Sequence, residues 1–129
     1  MFWQGFCDDV GTKNAIGIVW REYGYLCDTH TAVAWDVAQQ YKAENPAHNH
    51  VVILSTASPF KFPAAVLEGL GHSPKGDEFD VMARLRNETH QAIPKNLDGL
   101  KERAVRHNDV IDREKILDYV LDKAAQKQW

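Results

Sequence analysis

Val51-Val52-Ile53-Leu54-Ser55-Thr56-Ala57-Ser58-Pro59 is the stretch on which the reading of the fold turns. Its first four residues are apolar, three of them β-branched, with no polar alternation. Such a run reads as a strand covered on both faces, of the kind found inside a parallel sheet. The hydroxyl residues and Pro59 then leave the strand. Phe62 to Leu70 reads as a short helix with Pro63 in its first turn and Gly71 as its stop.

Upstream, Asp8-Asp9 before Gly11-Thr12 looks like a helix start, with a capping residue and negative charge at the N-terminus. Ala15, Ile16, Val19, Trp20 and Tyr23 recur at helical spacing, and Gly24 is a left-handed stop. Asp28 or Thr29 caps a second helix that runs to about Glu44, with Val33, Val37 and Tyr41 on one face. Asn45-Pro46 ends it. Helix, strand and helix in succession form one crossover unit. Downstream, Asp80 to Asn87 reads as helical, and Ile93 to Leu97 as a loop opening a short helix or turn. Arg103 to His107 reads as a strand or connector. Asp112 caps a last helix carrying Ile116, Tyr119, Val120 and Lys123.

This inventory predicts an α/β chain, helix-rich, with one central-type strand at Val51–Leu54 and one or two further short strands. A central strand without neighbours leaves buried backbone donors and acceptors unpaired. The expectation is therefore an incomplete sheet whose other strands lie elsewhere.

The chain has 129 residues, 44% hydrophobic and 26% charged, with a net charge of −3, which suits one domain over residues 1–129. Thirteen aromatic residues (four Trp, four Tyr, five Phe) argue against disorder. The near-neutral charge argues against a nucleic-acid arm or polybasic membrane anchor. No apolar run could span a bilayer, and Met1-Phe2-Trp3-Gln4 lacks the pattern of a signal peptide. Cys7 and Cys27 are too few for a disulfide scaffold and read as reduced thiols of a cytoplasmic protein.

Three constellations could carry chemistry. Ser55, Thr56 and Ser58 stand at the carboxyl end of the expected strand, where open α/β sheets bind ligands. The same residues also make an ordinary hydroxyl-rich turn. His30 falls in a first helical turn, where the dipole favours neutral imidazole, as a site residue or a structural contact. His48 and His50 could share one face, but no cysteine or carboxylate completes a metal site nearby. A small metal-dependent hydrolase built on them is the weakest reading. Lys42 and Lys61 sit in no recognisable activating environment, and no Gly-rich phosphate cradle precedes a helix.

Two long motifs resemble the C-terminal part of threonine synthases. One is Glu22-Tyr23-Gly24-Tyr25-Leu26-Cys27-Asp28-Thr29-His30-Thr31-Ala32-Val33-Ala34. The other is Val51-Val52-Ile53-Leu54-Ser55-Thr56-Ala57-Ser58-Pro59-Phe60-Lys61-Phe62-Pro63. Their order and separation match the family, and Ile93-Pro94-Lys95 and Arg106-His107-Asn108 are similar to its final segment. Thr29 stands where the family usually has proline, and Ser58 where it often has histidine.

The resemblance implies an incomplete part of a tryptophan-synthase-β-like fold, the last quarter or third of a pyridoxal-phosphate-dependent lyase. That family converts O-phosphohomoserine and water to threonine and phosphate. Its Schiff-base lysine and Gly-rich phosphate loop belong to earlier parts of the protein. By the same resemblance Ser55 and Thr56 lie near the pyridine nitrogen of the cofactor. Thr56 is expected to donate to that nitrogen in its unprotonated form. Asp28, His30 and Thr31 either touch substrate or fix the helix start. Lys61 is expected to be structural. The expected partner is the remainder of a threonine synthase chain, or a second copy of this one, with no nucleic acid and no membrane. The chain alone is expected to be inactive and to bind no pyridoxal phosphate. A stand-alone interaction or regulatory module derived from the family is the alternative.

Overall fold

In the computed structural model, which describes residues 2–47 and 50–126, each of the first helices starts on a carboxylate. Asp8 caps α1 (Asp9–Tyr23) by accepting from the Gly11 amide at 2.7 Å, and Gly24 ends it at φ 64°. The sequence expectation holds at both ends, because both signals act within a turn of the helix they bound. Asp28 caps α2 (Thr29–Glu44), which ends at Asn45 as expected. Ser58 caps a 3₁₀ turn (Pro59–Lys61), and α3 (Pro63–Gly69) follows with its proline in the first turn. α4 (Glu78–Thr89) starts two residues before the expected Asp80, because Asp77 and Asp80 form a reciprocal capping box. His90 closes it in a left-handed conformation, φ 57°, a place where glycine is the usual occupant. Asp112 precedes a 3₁₀ turn (Arg113–Lys115) that leads into α5 (Ile116–Gln126).

α1 packs on α2 and on α3, and α3 packs on α4, so the helices stack in the order α2, α1, α3, α4. Ile16 of α1, Val66 and Leu67 of α3, and Leu85 of α4 are fully buried where they meet. Phe60, Leu26 and Cys27 close the cluster from the connecting segments. Each such aliphatic side chain contributes roughly 1.5–3 kcal/mol by leaving water. The N-terminal segment lies along α2: the Trp3 indole donates to Glu44 at 2.9 Å, and the Gln40 amide donates to the Phe6 carbonyl at 2.7 Å. α5 has no buried residue among those described, and Ile116, Leu117, Val120 and Leu121 are exposed.

The α/β class is overturned. Among the described residues there are five α-helices, short 3₁₀ turns and no strand. Val51–Leu54 forms no ladder, and neither does Arg103–His107, which is a connector. Coverage on both faces fails too: Val51 and Ile53 are half-buried, while Val52 and Leu54 are 88% and 76% exposed. The physical reason is non-local. β-branched residues favour a strand only where another segment offers its donors and acceptors, and no described segment does so. The crossover unit and the tryptophan-synthase-β-like sheet fall with it. What stands in their place is a helical stack with an irregular apolar segment laid beside α1 and α2.

Candidate functional site

That irregular segment carries Ser55 to the start of α2. Asp28 is only 1% exposed, and its carboxylate is anchored where α2 begins. Its Oδ1 accepts from the His30 amide at 2.9 Å and the Thr31 amide at 3.4 Å, and its Oδ2 accepts from the Thr31 hydroxyl. Burial pushes the Asp28 carboxyl upward. The Thr31 hydroxyl and the two amides outweigh that and hold it below the usual carboxylate range. Asp28 is therefore an ionised, buried acceptor.

Thr31 Oγ1 lies 3.2 Å from Ser55 Oγ, and Tyr25 OH lies 3.0 Å from the same atom. Four residues from two parts of the chain thus form one polar string: Asp28, Thr31, Ser55, Tyr25. Tyr25, Thr31 and Ser55 border a cavity of about 170 Å³ whose apolar walls are Val19, Cys27, Trp35 and Ile53. Burial raises the Cys27 thiol to about 11, so this wall is an inert, uncharged surface.

Thr56, the expected partner of a ring nitrogen, is exposed and makes no hydrogen bond to another described residue. Ser58 is spent locally, accepting from the Phe60 amide at 3.3 Å. The fold separates the neighbours His30 and Thr31. Thr31 faces the small cavity. His30 lines a wider, open groove of about 660 Å³ with Cys7, Lys13 and Glu68. There its ring meets Phe62 edge-on at 5.1 Å, and Nδ1 stands 3.2 Å from Asp28 Oδ1. Lys13 and Glu68 pair across that groove at 2.6 Å.

His50 is exposed, while His48 lies outside the described residues. Among the described residues no three His, Cys, Asp or Glu side chains gather as metal ligands. Lys61 is exposed in its 3₁₀ turn, and neither it nor Lys42 borders the Ser55 cavity. No helix of the described residues is long and apolar enough to cross a membrane. Tyr25 was not singled out as a site residue in the sequence. It stands in the same motif as Asp28 and Thr31, but nothing in that spacing points its hydroxyl at Ser55.

Comparison with known proteins agrees with the second motif and with the end of the first, from Thr31. The family model "Threonine synthase, C-terminal" matches residues 31–120, which include Thr31, Ser55 and Thr56. A threonine synthase of Methylobacillus glycogenes is 34% identical over 74 residues, 57% of this chain and 15% of that protein. The chain thus aligns with a small share of its curated relative's length. By its two motifs and by the span of the family match, this chain belongs to the threonine synthase C-terminal family.

Proposed function

We propose that this chain is the C-terminal portion of a cytoplasmic threonine-synthase-type lyase, which converts O-phosphohomoserine and water to threonine and phosphate with pyridoxal phosphate. The supporting observation is the Ser55 hydroxyl at an apolar cavity, inside the residues that the family model matches.

The donor set fits one edge of the cofactor. Val19, Trp35 and Ile53 offer apolar walls for a planar ring, and Ser55 offers a hydroxyl beside them, with Thr56 next to it in the chain. When bound, the cofactor supplies an electron sink for the substrate's carbon framework. Ser55 and Thr56 hold the ring's polar edge, and Asp28 fixes Thr31 behind them. The lysine and the phosphate cradle come from the remainder of the enzyme, which is the partner of this chain. On this reading the 129 residues alone neither turn over substrate nor retain the cofactor.

A chimera tests it. The matching segment of the Methylobacillus glycogenes enzyme is replaced by this chain, and phosphate release from O-phosphohomoserine is measured. The chimera should release phosphate, and Ser55→Ala with Thr56→Ala should reduce that release. A folded chimera with no activity would overturn the reading. So would a visible cofactor band on the isolated chain that survives dialysis.

A second reading rests on a different observation, the exposed apolar residues of α5. It makes the chain a non-catalytic module that pairs with a second copy of itself. Light scattering after size exclusion separates the two: a dimer that Leu117→Lys dissolves favours the module.

A further inference from the structure

The connection between α3 and α4 is bracketed by two left-handed glycines, Gly71 at φ 86° and Gly76 at φ 93°. Glycines of this kind are positions where a chain can absorb a large change of φ and ψ. The ends of the connection are fixed. The Gly71 and His72 amides close α3 on the Glu68 and Leu67 carbonyls, both at 2.9 Å, and the Asp77 amide donates to Asp80 Oδ2 at 3.1 Å. Between these anchors α4 supplies the ties. Arg84 Nη1 donates to the Ser73 carbonyl at 2.7 Å, and Glu88 Oε2 stands 3.7 Å from His72 Nε2. Arg84 Nε lies 3.6 Å from the other oxygen of the same carboxylate, so Ser73, Arg84, Glu88 and His72 form one circuit.

The two ties differ in kind. The Arg84 bond is short and its guanidinium is always charged. The His72 contact is too long for a hydrogen bond and acts only as an ion pair, which requires a charged imidazole. Histidine changes its charge between pH 5 and 8. On its other side the connection forms a wall: Pro74 and Gly76 line a groove of about 500 Å³ with Phe62, Ala64, Ala65 and Val81.

We propose that residues 72–76 are a strap whose hold on α4, and with it the width of this groove, is set by the charge of His72. With His72 protonated both ties act and the strap is latched. With His72 neutral only Arg84 holds it, and the segment swings between Gly71 and Gly76. The groups facing His72 from α4 are Glu88 and Arg84. On α3, Glu68 is committed to Lys13 at 2.6 Å. On the strap itself Lys75 is exposed, and Asp80 stands at the far end beside Gly76. The imidazole and the Glu88 side chain are each about a third exposed. The ratio of open to latched strap therefore changes by at most about five-fold. This device is independent of the cofactor reading.

The experiment is ¹⁵N relaxation on the chain at about pH 5 and about pH 8, either side of histidine's titration. Order parameters are read at the Lys75 and Gly76 amides, and the Ala64 and Ala65 methyl shifts report the opposite wall of the groove. In the parent chain strap order should fall as pH rises, and the methyl shifts should move with it. His72→Gln should hold the strap at its looser value at both pH values, and Glu88→Gln should also remove the pH dependence. Arg84→Gln should loosen the strap at both values and leave a fall between them. A parent strap equally ordered at both pH values overturns the proposal, and so does a pH dependence that survives in His72→Gln. Methyl shifts that stay fixed while the strap loosens would overturn its role as a wall of the groove.

Discussion

Gly17 of α1 faces the carbonyl oxygen of Gly69 at the end of α3 so closely that a Cβ at Gly17 would stand 2.5 Å from it. From the other side, a Cβ at Gly69 would meet the Lys13 carbonyl at 2.8 Å and Ile16 Cβ at 2.9 Å. The two helices are held together by the absence of side chains where their backbones cross.

Gly17→Ala should therefore destabilise the chain, although alanine favours a helix over glycine by about 1 kcal/mol. Overpacking against a backbone carbonyl that cannot move aside costs roughly 1–3 kcal/mol. Gly24→Ala is the control: nothing lies within 4 Å of its added Cβ, and its cost comes only from φ 64°, about 1 kcal/mol. Urea unfolding followed by circular dichroism should rank Gly17→Ala below Gly24→Ala. The reverse order would mean that α1 and α3 do not cross at these glycines.

Asp28→Ala should cost about 1–2 kcal/mol, since it removes a helix cap and the charged acceptor of the Thr31 hydroxyl. Asp28 also sets a pH dependence. Its folded carboxyl is held below its ordinary value, so the folded chain binds this proton less readily than the unfolded chain. The stability it contributes is complete above the unfolded value, about 3.9. It is lost as pH falls through the lower, folded value. Urea midpoints measured down through that range should fall less steeply in Asp28→Asn than in the parent chain. Equal slopes would show that folding does not lower the Asp28 carboxyl.

The two thiols should react at different rates. Cys27 is 1% exposed and its pKa is pushed to about 11, whereas Cys7 is half-buried beside an open groove. Iodoacetamide at mildly alkaline pH should label Cys7 first in the folded chain and Cys27 only after urea is added, as read by peptide mass spectrometry. Early labelling of Cys27 would contradict the closed wall beside Trp35.

On α4, Asp77 serves as cap and as partner of Lys101, 2.8 Å away. Both side chains of the ion pair are about half exposed, so solvent weakens it. Lys101→Met should move the thermal midpoint less than Asp77→Ala, which also removes the capping box. If Lys101→Met cost more, the ion pair rather than the cap would be holding this helix start.

The apolar residues of α5 are not part of the helical stack. Leu117→Lys should leave the urea midpoint of the stack within about 0.5 kcal/mol of the parent value. A larger loss would show that α5 packs on the body of the chain in solution.

What the sequence alone determined is what acts within a turn of helix. Asp8 and Asp28 set the starts of α1 and α2 because a cap and the amide it satisfies lie two or three residues apart, and Gly24 ends α1 by donating its amide to the Trp20 carbonyl four residues back. The two long motifs named the family for the same reason: they are contiguous text. Ser55 was legible as a candidate, but its neighbours were not, since Thr31 meets it across 24 positions and Tyr25 across 30. The β-branched run Val51–Leu54 misled because a strand is a property of two segments and composition describes only one. Tertiary packing decided that no described segment pairs with it, that Gly17 and Gly69 touch, and that a buried carboxylate stands two hydroxyls away from Tyr25.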